Sequence, residues 1–149
     1  MMIEEAMNMS VAESRRVYAL ASACFSHAPW TAEQFYTENQ LKHSHTLLVK
    51  KDADMVGFLV YQELAGQAEI LLIGVLPAYR KQKIATVLLE KMFEQSEATE
   101  YFLEVRASNQ AAYRLYQAHG FEHYHTRRSY YQQPVEDAYL LKKKVGTNQ

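Results

Sequence analysis

The 149-residue chain has one cysteine, which excludes an intramolecular disulfide framework and fits a reducing cytoplasm. Cys24 lies among Val17, Leu20, Ala21 and Phe25, the setting of a packed thiol rather than a nucleophile. Charge excess is also lacking: 16 Lys and Arg against 17 Asp and Glu leave a formal net charge of −1. A dedicated nucleic-acid binder normally carries a marked basic surplus, so no direct nucleic-acid binding is expected. Lys142-Lys143-Lys144 is locally basic, and a solvated strand end or tail accounts for it. Long apolar runs are missing as well. The longest, 70–76, falls far short of the roughly 20 residues that a membrane span needs. The N-terminal Met-Met-Ile-Glu-Glu is acidic where a secretory signal is basic, so a cytoplasmic protein without membrane attachment is expected. With three prolines and five glycines there is no linker, and no repeat or low-complexity segment is visible. What is present, 48% hydrophobic and 22% charged residues, suits one soluble globular domain over 1–149.

Two capping boxes punctuate the first third. Ser10-Val-Ala-Glu13 opens a helix with Val17, Leu20, Ala21, Cys24 and Phe25 at helical spacing, ending near 26–29. Thr31-Ala-Glu-Gln34 opens a shorter one through Phe35 toward Leu41, and Pro29-Trp30 lies in the loop between them. Strands are predicted at 46–50, 55–64 and 67–76, separated by breaks short enough for antiparallel hairpins. Pro77 stops the third strand. After a basic turn, Ala85, Leu88, Leu89, Met92 and Phe93 mark a third helix. A strand at 101–105, a helix from Ser108 or Asn109 to His119-Gly120, and strands at 121–130 and 138–142 complete the order α-α-β-β-β-α-β-α-β-β. The fold class is α+β, or mixed α/β, with a central, mostly antiparallel twisted sheet of six to seven strands and about four helices. The crossover between 67 and 105 should make two strands parallel.

Two constellations carry chemistry. In Tyr101-Phe-Leu-Glu-Val105, strand alternation puts Glu104 on one face with Phe102 and Arg106. Asn109 and Tyr116, seven residues apart, return to nearly one helix face with a rise of roughly 10 Å. Both could address one extended ligand, and Glu104 could face them. A solvated strand carboxylate and a half-buried packing tyrosine satisfy the same pattern. The second constellation is strand, basic turn, helix: the first helical turn offers unpaired N–H groups to a phosphate, and Arg80, Lys81 and Lys83 add charge. A merely soluble basic turn is the alternative. Six histidines, including His43-x-His45 and His123-x-His125, lack the further ligands of a zinc site, so no metal is expected.

Together these segments resemble the GNAT acetyltransferase superfamily, specifically the RimI-type ribosomal-protein alanine N-acetyltransferases. Arg80-Lys-Gln-Lys-Ile-Ala85 aligns with the coenzyme motif Q/R-x-x-G-x-G/A. Leu103-Glu-Val-Arg-Ala-Ser-Asn109, Ala111-Ala112, Leu115-Tyr116, Gly120-Phe121, Arg127-Arg128, Tyr130-Tyr131 and Glu136-Asp137-Ala138 match the RimI pattern, and Pro29-Trp30-Thr31 is similar to the family's segment between its first two helices. The resemblance implies a GNAT-like fold and direct acetyl transfer from acetyl-coenzyme A to a protein N-terminal amine, most simply the alanine of a ribosomal protein. It implies Glu104 as base and Tyr116 as acid. Backbone N–H groups of Ile73, Gly74 and Val75 would face the oxyanion; Arg80, Lys81, Gln82, Lys83, Ile84 and Ala85 would cradle the pyrophosphate, and Asn109 would hold pantetheine. Trp30, Tyr130 and Tyr131 would meet the acceptor, and the protein would be a monomer or weak dimer. One residue departs from the pattern: Lys83 stands at the first motif glycine, a residue that serves such a loop by tolerating positive φ and by letting the backbone approach a pyrophosphate closely. Weakened coenzyme binding, an ammonium on a phosphate, and an ammonium in solvent are all open. A small-molecule amine or lysine acceptor and a non-catalytic binding module on the same fold are the alternative functions.

Overall fold

The computed structural model describes residues 1–25 and 28–146. The expected first-helix end therefore falls partly on Ser26 and His27, which lie outside the described residues. Seven strands, β1 Met2–Glu5, β2 Ser44–Lys51, β3 Asp54–Leu64, β4 Gln67–Val75, β5 Glu100–Arg106, β6 Glu122–Tyr131 and β7 Glu136–Lys144, form one sheet. Its order is β1-β2-β3-β4-β5-β7-β6. The helices are α1 Val11–Cys24, α2 Ala32–Gln40, α3 Ile84–Gln95 and α4 Gln110–Ala118, with a 3₁₀ helix at Pro77–Gln82. This is the expected mixed α/β architecture, with one element more at its start.

That element, β1, has a sequence too short and acidic to announce a strand. It forms because its partner supplies what it lacks: Ile3 pairs with Val49 in the antiparallel register, and Glu4 meets the Lys50 ammonium at 2.6 Å. Both predicted capping boxes close. Ser10 Oγ accepts from the Glu13 N–H and the Glu13 carboxylate accepts from the Ser10 N–H; Thr31 and Gln34 reciprocate in the same way. Each box satisfies two orphan donors of its helix and fixes where the helix starts.

The chain divides into two compact units, one of Met1–Glu63 with Leu71–Ser96 and the other of Leu64–Ile70 with Glu97–Gln149. In the first, Val17, Leu20, Ala21 and Cys24 of α1 and Phe35 of α2 pack with Leu48, Phe58 and Val60 of the sheet. Phe35 meets Phe58 edge-on at 5.9 Å, a favourable aromatic geometry. Gly74 is required at its position: a Cβ there would lie 2.7 Å from the Phe58 ring and 3.2 Å from Cys24.

In the second unit the predicted parallel pairing is present, with Gln67, Ala68 and Glu69 opposite Glu100, Tyr101 and Phe102. β5 continues antiparallel against β7, from Glu100↔Lys144 to Arg106↔Ala138. Tyr101, Leu103 and Val105 are buried. Val105 pairs with Tyr139, whose ring packs on Tyr113 of α4, and Lys143 opposite Tyr101 donates to the His119 carbonyl beyond α4. These contacts place α4 on the Tyr101, Leu103 and Val105 side of β5. Alternation sends Phe102, Glu104 and Arg106 to the other side.

Candidate active site

In the first unit, Leu76 and Pro77 end β4 and start the 3₁₀ helix, with proline at a position where its missing N–H is harmless. Arg80 turns back rather than outward: Nε donates to the Val75 carbonyl at 3.2 Å and Nη2 to the Cys24 carbonyl at 2.8 Å. The guanidinium thus braces the end of β4 against the end of α1. Gln82 accepts from Lys51 Nζ at 2.8 Å, and that ammonium lies 5.6 Å from the Tyr79 ring centre. Arg80, Lys81 and Lys83 of the basic turn are all exposed, Arg80 despite its two hydrogen bonds.

Lys83 has φ 61° and ψ 25°, the left-handed conformation that the family motif assigns to glycine. The chain keeps the turn and accepts the penalty of a Cβ there. Directly after it, α3 starts with no side-chain cap and no acid in its first turn, unlike α1 and α2. Its intrahelical bonding begins with the Val87 N–H on the Lys83 carbonyl, so the N–H groups of Ile84, Ala85 and Thr86 have no acceptor within the helix. This is the electrostatic form of an anion-binding turn. Upstream, Ile73, Gly74 and Val75 form the last residues of β4.

Trp30 is half-buried, its ring 5.1 Å from Phe35. With Thr31, Glu33, Gln34, Thr37 and Glu38 it lines an open groove of about 590 Å³.

In the second unit, Glu104 is exposed on its side of β5, where the Tyr131 hydroxyl donates to its Oε2 at 3.4 Å. The Arg106 guanidinium sits 4.1 Å from the Tyr131 ring centre. Desolvation, followed by the charge of Glu104, pushes the Tyr131 phenol up to about 12, so it stays a protonated donor. Tyr130 meets Tyr131 edge-on at 5.2 Å, and Arg127 lies 5.3 Å from the Tyr130 ring centre.

Asn109 and Tyr116 differ in burial. Asn109, with φ −83° and ψ 72°, is the N-cap of α4, where its Oδ1 accepts from the Ala112 N–H at 3.2 Å. The seven-residue spacing treats it as helical, whereas a cap residue has left the helical geometry. It is exposed. Tyr116 is buried, its ring 5.9 Å from Phe121, and burial raises its phenol pKa well above the ordinary value. Glu104 does not share the side of β5 on which Tyr116 lies. It leaves β5 on the side away from α4, so the carboxylate and the Tyr116 phenol flank the strand.

Two carboxylates escaped the sequence reading. Glu69, opposite Phe102, has its pKa raised by desolvation and then by Glu104, with Arg127 acting the other way. Alternation around a parallel pair was the available signal. Glu136 accepts from the Ser108 N–H at 3.0 Å and Oγ at 2.9 Å and meets Arg106 at 3.5 Å. Backbone hydrogen bonding from Ser108, the largest influence, holds its carboxyl below the usual range. Its place in the RimI-like string was its only mark.

Known proteins are similar to this chain in sequence and fold. The acetyltransferase (GNAT) family model matches residues 14–121. N-alpha-acetyltransferase RimI of Mycobacterium tuberculosis is 30% identical over 140 residues, covering 91% of this chain and 89% of that protein. Ribosomal protein bS18-alanine N-acetyltransferase of Escherichia coli K12 is 34% identical over 110 residues, covering 71% and 74%. The crystal structure of the Escherichia coli ribosomal-protein-S18-alanine N-acetyltransferase matches with a TM-score of 0.87 at 25% identity, over 99% of this chain and 97% of that one. Strand-turn-helix with an open α3 start, a carboxylate on β5 and a tyrosine on α4 thus occur in a chain that belongs to the GNAT family, the acetyl-coenzyme A-dependent N-acetyltransferases.

Proposed function

We propose that the protein acetylates the N-terminal amine of a cytoplasmic protein, the alanine of a ribosomal protein, by direct transfer from acetyl-coenzyme A. The observation that carries this reading is the 34% identity to an enzyme named for bS18-alanine acetylation, in a chain that has Glu104, Asn109 and Tyr116 in a string resembling the RimI pattern.

An α-amine has a pKa near 8, so a carboxylate base needs to give only modest assistance near neutral pH. Glu104 would take the proton as the amine nitrogen attacks the thioester carbon. Backbone N–H groups of Ile73, Gly74 and Val75 would stabilise the oxyanion. Collapse breaks the carbon–sulfur bond, and Tyr116 would protonate the departing thiolate. A base and an acid on opposite sides of β5 suit an acceptor and a leaving group that meet from opposite directions. A phenol whose pKa is raised by burial enters the step protonated.

Acetyl-coenzyme A would be held by main-chain N–H groups of Arg80, Lys81, Gln82, Lys83, Ile84 and Ala85 at its pyrophosphate and by the Asn109 amide at pantetheine. Trp30 and Tyr130 would offer aromatic surface to the acceptor polypeptide, with Tyr131 beside Tyr130 and hydrogen-bonded to Glu104.

The test incubates the protein with acetyl-coenzyme A and peptides bearing ribosomal-protein N-termini, with acetylation located by mass spectrometry. Acetyl on the terminal alanine nitrogen is expected. Modification of internal lysines or polyamines alone would replace the acceptor class, and absence of coenzyme binding by titration calorimetry would leave a non-catalytic module.

A further inference from the structure

Glu104 projects from the side of β5 that α4 leaves uncovered. Among the described residues its carboxylate makes one hydrogen bond, accepted from the Tyr131 hydroxyl at 3.4 Å. An exposed glutamate samples several rotamers, and a base that must meet an amine in one geometry gains from having most of them removed. The value of that bond depends on how firmly the tyrosine itself is held.

Tyr131 is held from beneath. The Arg106 guanidinium stacks at 4.1 Å from its ring centre, a cation–π distance. Arg106 is in turn fixed by Glu136 at 3.5 Å, and Glu136 is fixed by the Ser108 N–H and hydroxyl immediately before the Asn109 cap. A continuous set of contacts therefore runs from the start of α4 through Glu136, Arg106 and Tyr131 to one oxygen of Glu104. The other charged group acting near Glu104 is Glu69 on β4, with Arg127 of β6 opposing it. Because the Arg106 stack occupies Tyr131, this ring is less available to an acceptor peptide than Tyr130, which is 45% exposed.

We propose that Tyr131 is a positioning residue that orients Glu104 by hydrogen bonding to Oε2, leaving the other carboxylate oxygen for the acceptor amine, with Arg106 and Glu136 holding the tyrosine in place. This rests on the reading of Glu104 as the base. Tyr131 transfers no proton in the reaction.

The test is a double-mutant cycle of Tyr131→Phe and Glu104→Gln, with kcat and the KM of each substrate measured by coenzyme release and folding checked by thermal melting. Tyr131→Phe should lower kcat about tenfold, with both KM values within about twofold of wild type and an unchanged melting temperature. In the Glu104→Gln background the same change should add nothing, since its target is gone. Equal losses in both backgrounds, or a raised acceptor KM with normal kcat, would overturn the proposal and make Tyr131 an acceptor contact. Wild-type turnover in Glu104→Gln alone would instead remove the base reading, and the positioning role with it. An inactive Glu104→Gln beside a fully active Tyr131→Phe would overturn positioning and leave the base in place.

Discussion

The guanidinium of Arg80 donates to the main-chain carbonyl of Cys24 at 2.8 Å, tying the turn before α3 to the last residue of α1. With its second bond, to the Val75 carbonyl, Arg80 satisfies acceptors at the ends of a helix and a strand. Hydrogen bonds from a charged donor are worth about 1.5–3 kcal/mol each, and less where the group is exposed. Arg80→Ala should therefore lower unfolding stability by about 1–2 kcal/mol in urea titrations with an unchanged m-value, and should raise the KM for acetyl-coenzyme A. Arg80→Lys should recover only part of both, because an ammonium lacks the planar fork that reaches two carbonyls. Wild-type stability in Arg80→Ala would deny the brace.

At Lys83 the backbone pays for a motif glycine that is not there. A non-glycine residue in the left-handed region costs roughly 1–2 kcal/mol, partly offset because glycine loosens the unfolded chain. Lys83→Gly should thus gain about 0.5–1 kcal/mol and tighten coenzyme binding in calorimetry. Lys83→Ala separates the backbone from the charge: it retains φ near 61° with a Cβ and removes the ammonium. If Lys83→Ala weakens binding while Lys83→Gly strengthens it, the ammonium contributes on the phosphate. Destabilisation by Lys83→Gly would contradict the strained turn.

The features that were legible beforehand are those whose causes are local. Ser10 with Glu13 and Thr31 with Gln34 lie three residues apart, so both helix starts could be read, whereas the motif left the backbone of Lys83 open and the structure makes it left-handed. What escaped depends on partners distant in sequence. Met2–Glu5 is a strand only because Val49, Lys50 and their neighbours pair with it. Glu69 gains its electrostatic environment from a parallel register some 30 residues away. Asn109 was legible as a cap for the same local reason as Ser10 and Thr31, since its side-chain oxygen bonds the Ala112 N–H three residues on.

Tyr116 is the only buried residue of α4, and its burial keeps the phenol protonated. An acid that acts on the departing thiolate contributes after coenzyme has bound. Tyr116→Phe preserves the ring that packs on Phe121, so the fold and coenzyme affinity should be nearly intact. Turnover should fall by about 10²-fold, at the lower end of the range for a positioned proton donor. Steady-state rates with calorimetric coenzyme titration separate the two quantities, and wild-type turnover would take the acid role from Tyr116.

Burial also sets how the protein responds to alkali. Desolvation raises the Cys24 thiol from 9.0 to about 11 against the opposing charge of Arg80. Below pH 9 the thiol is protonated in both folded and unfolded chains, and its stabilising contribution is complete. Between 9 and about 11 the unfolded chain ionises first, so it binds fewer protons and stability declines as pH rises, by at most about 1.4 kcal/mol per pH unit. The loss over that window is on the order of 2 kcal/mol. Tyr116, with its pKa raised in the same direction, adds a decline that starts above about pH 10. Urea unfolding at pH 8, 9.5 and 10.5 should therefore show falling stability in wild type and a shallower fall in Cys24→Ala. The thiol should also resist iodoacetamide at pH 8 until urea unfolds the chain, since the buried, protonated sulfur is a poor nucleophile. Identical pH dependence in wild type and Cys24→Ala would show that the thiol ionises alike in both states, and rapid native labelling would show that it is not shielded.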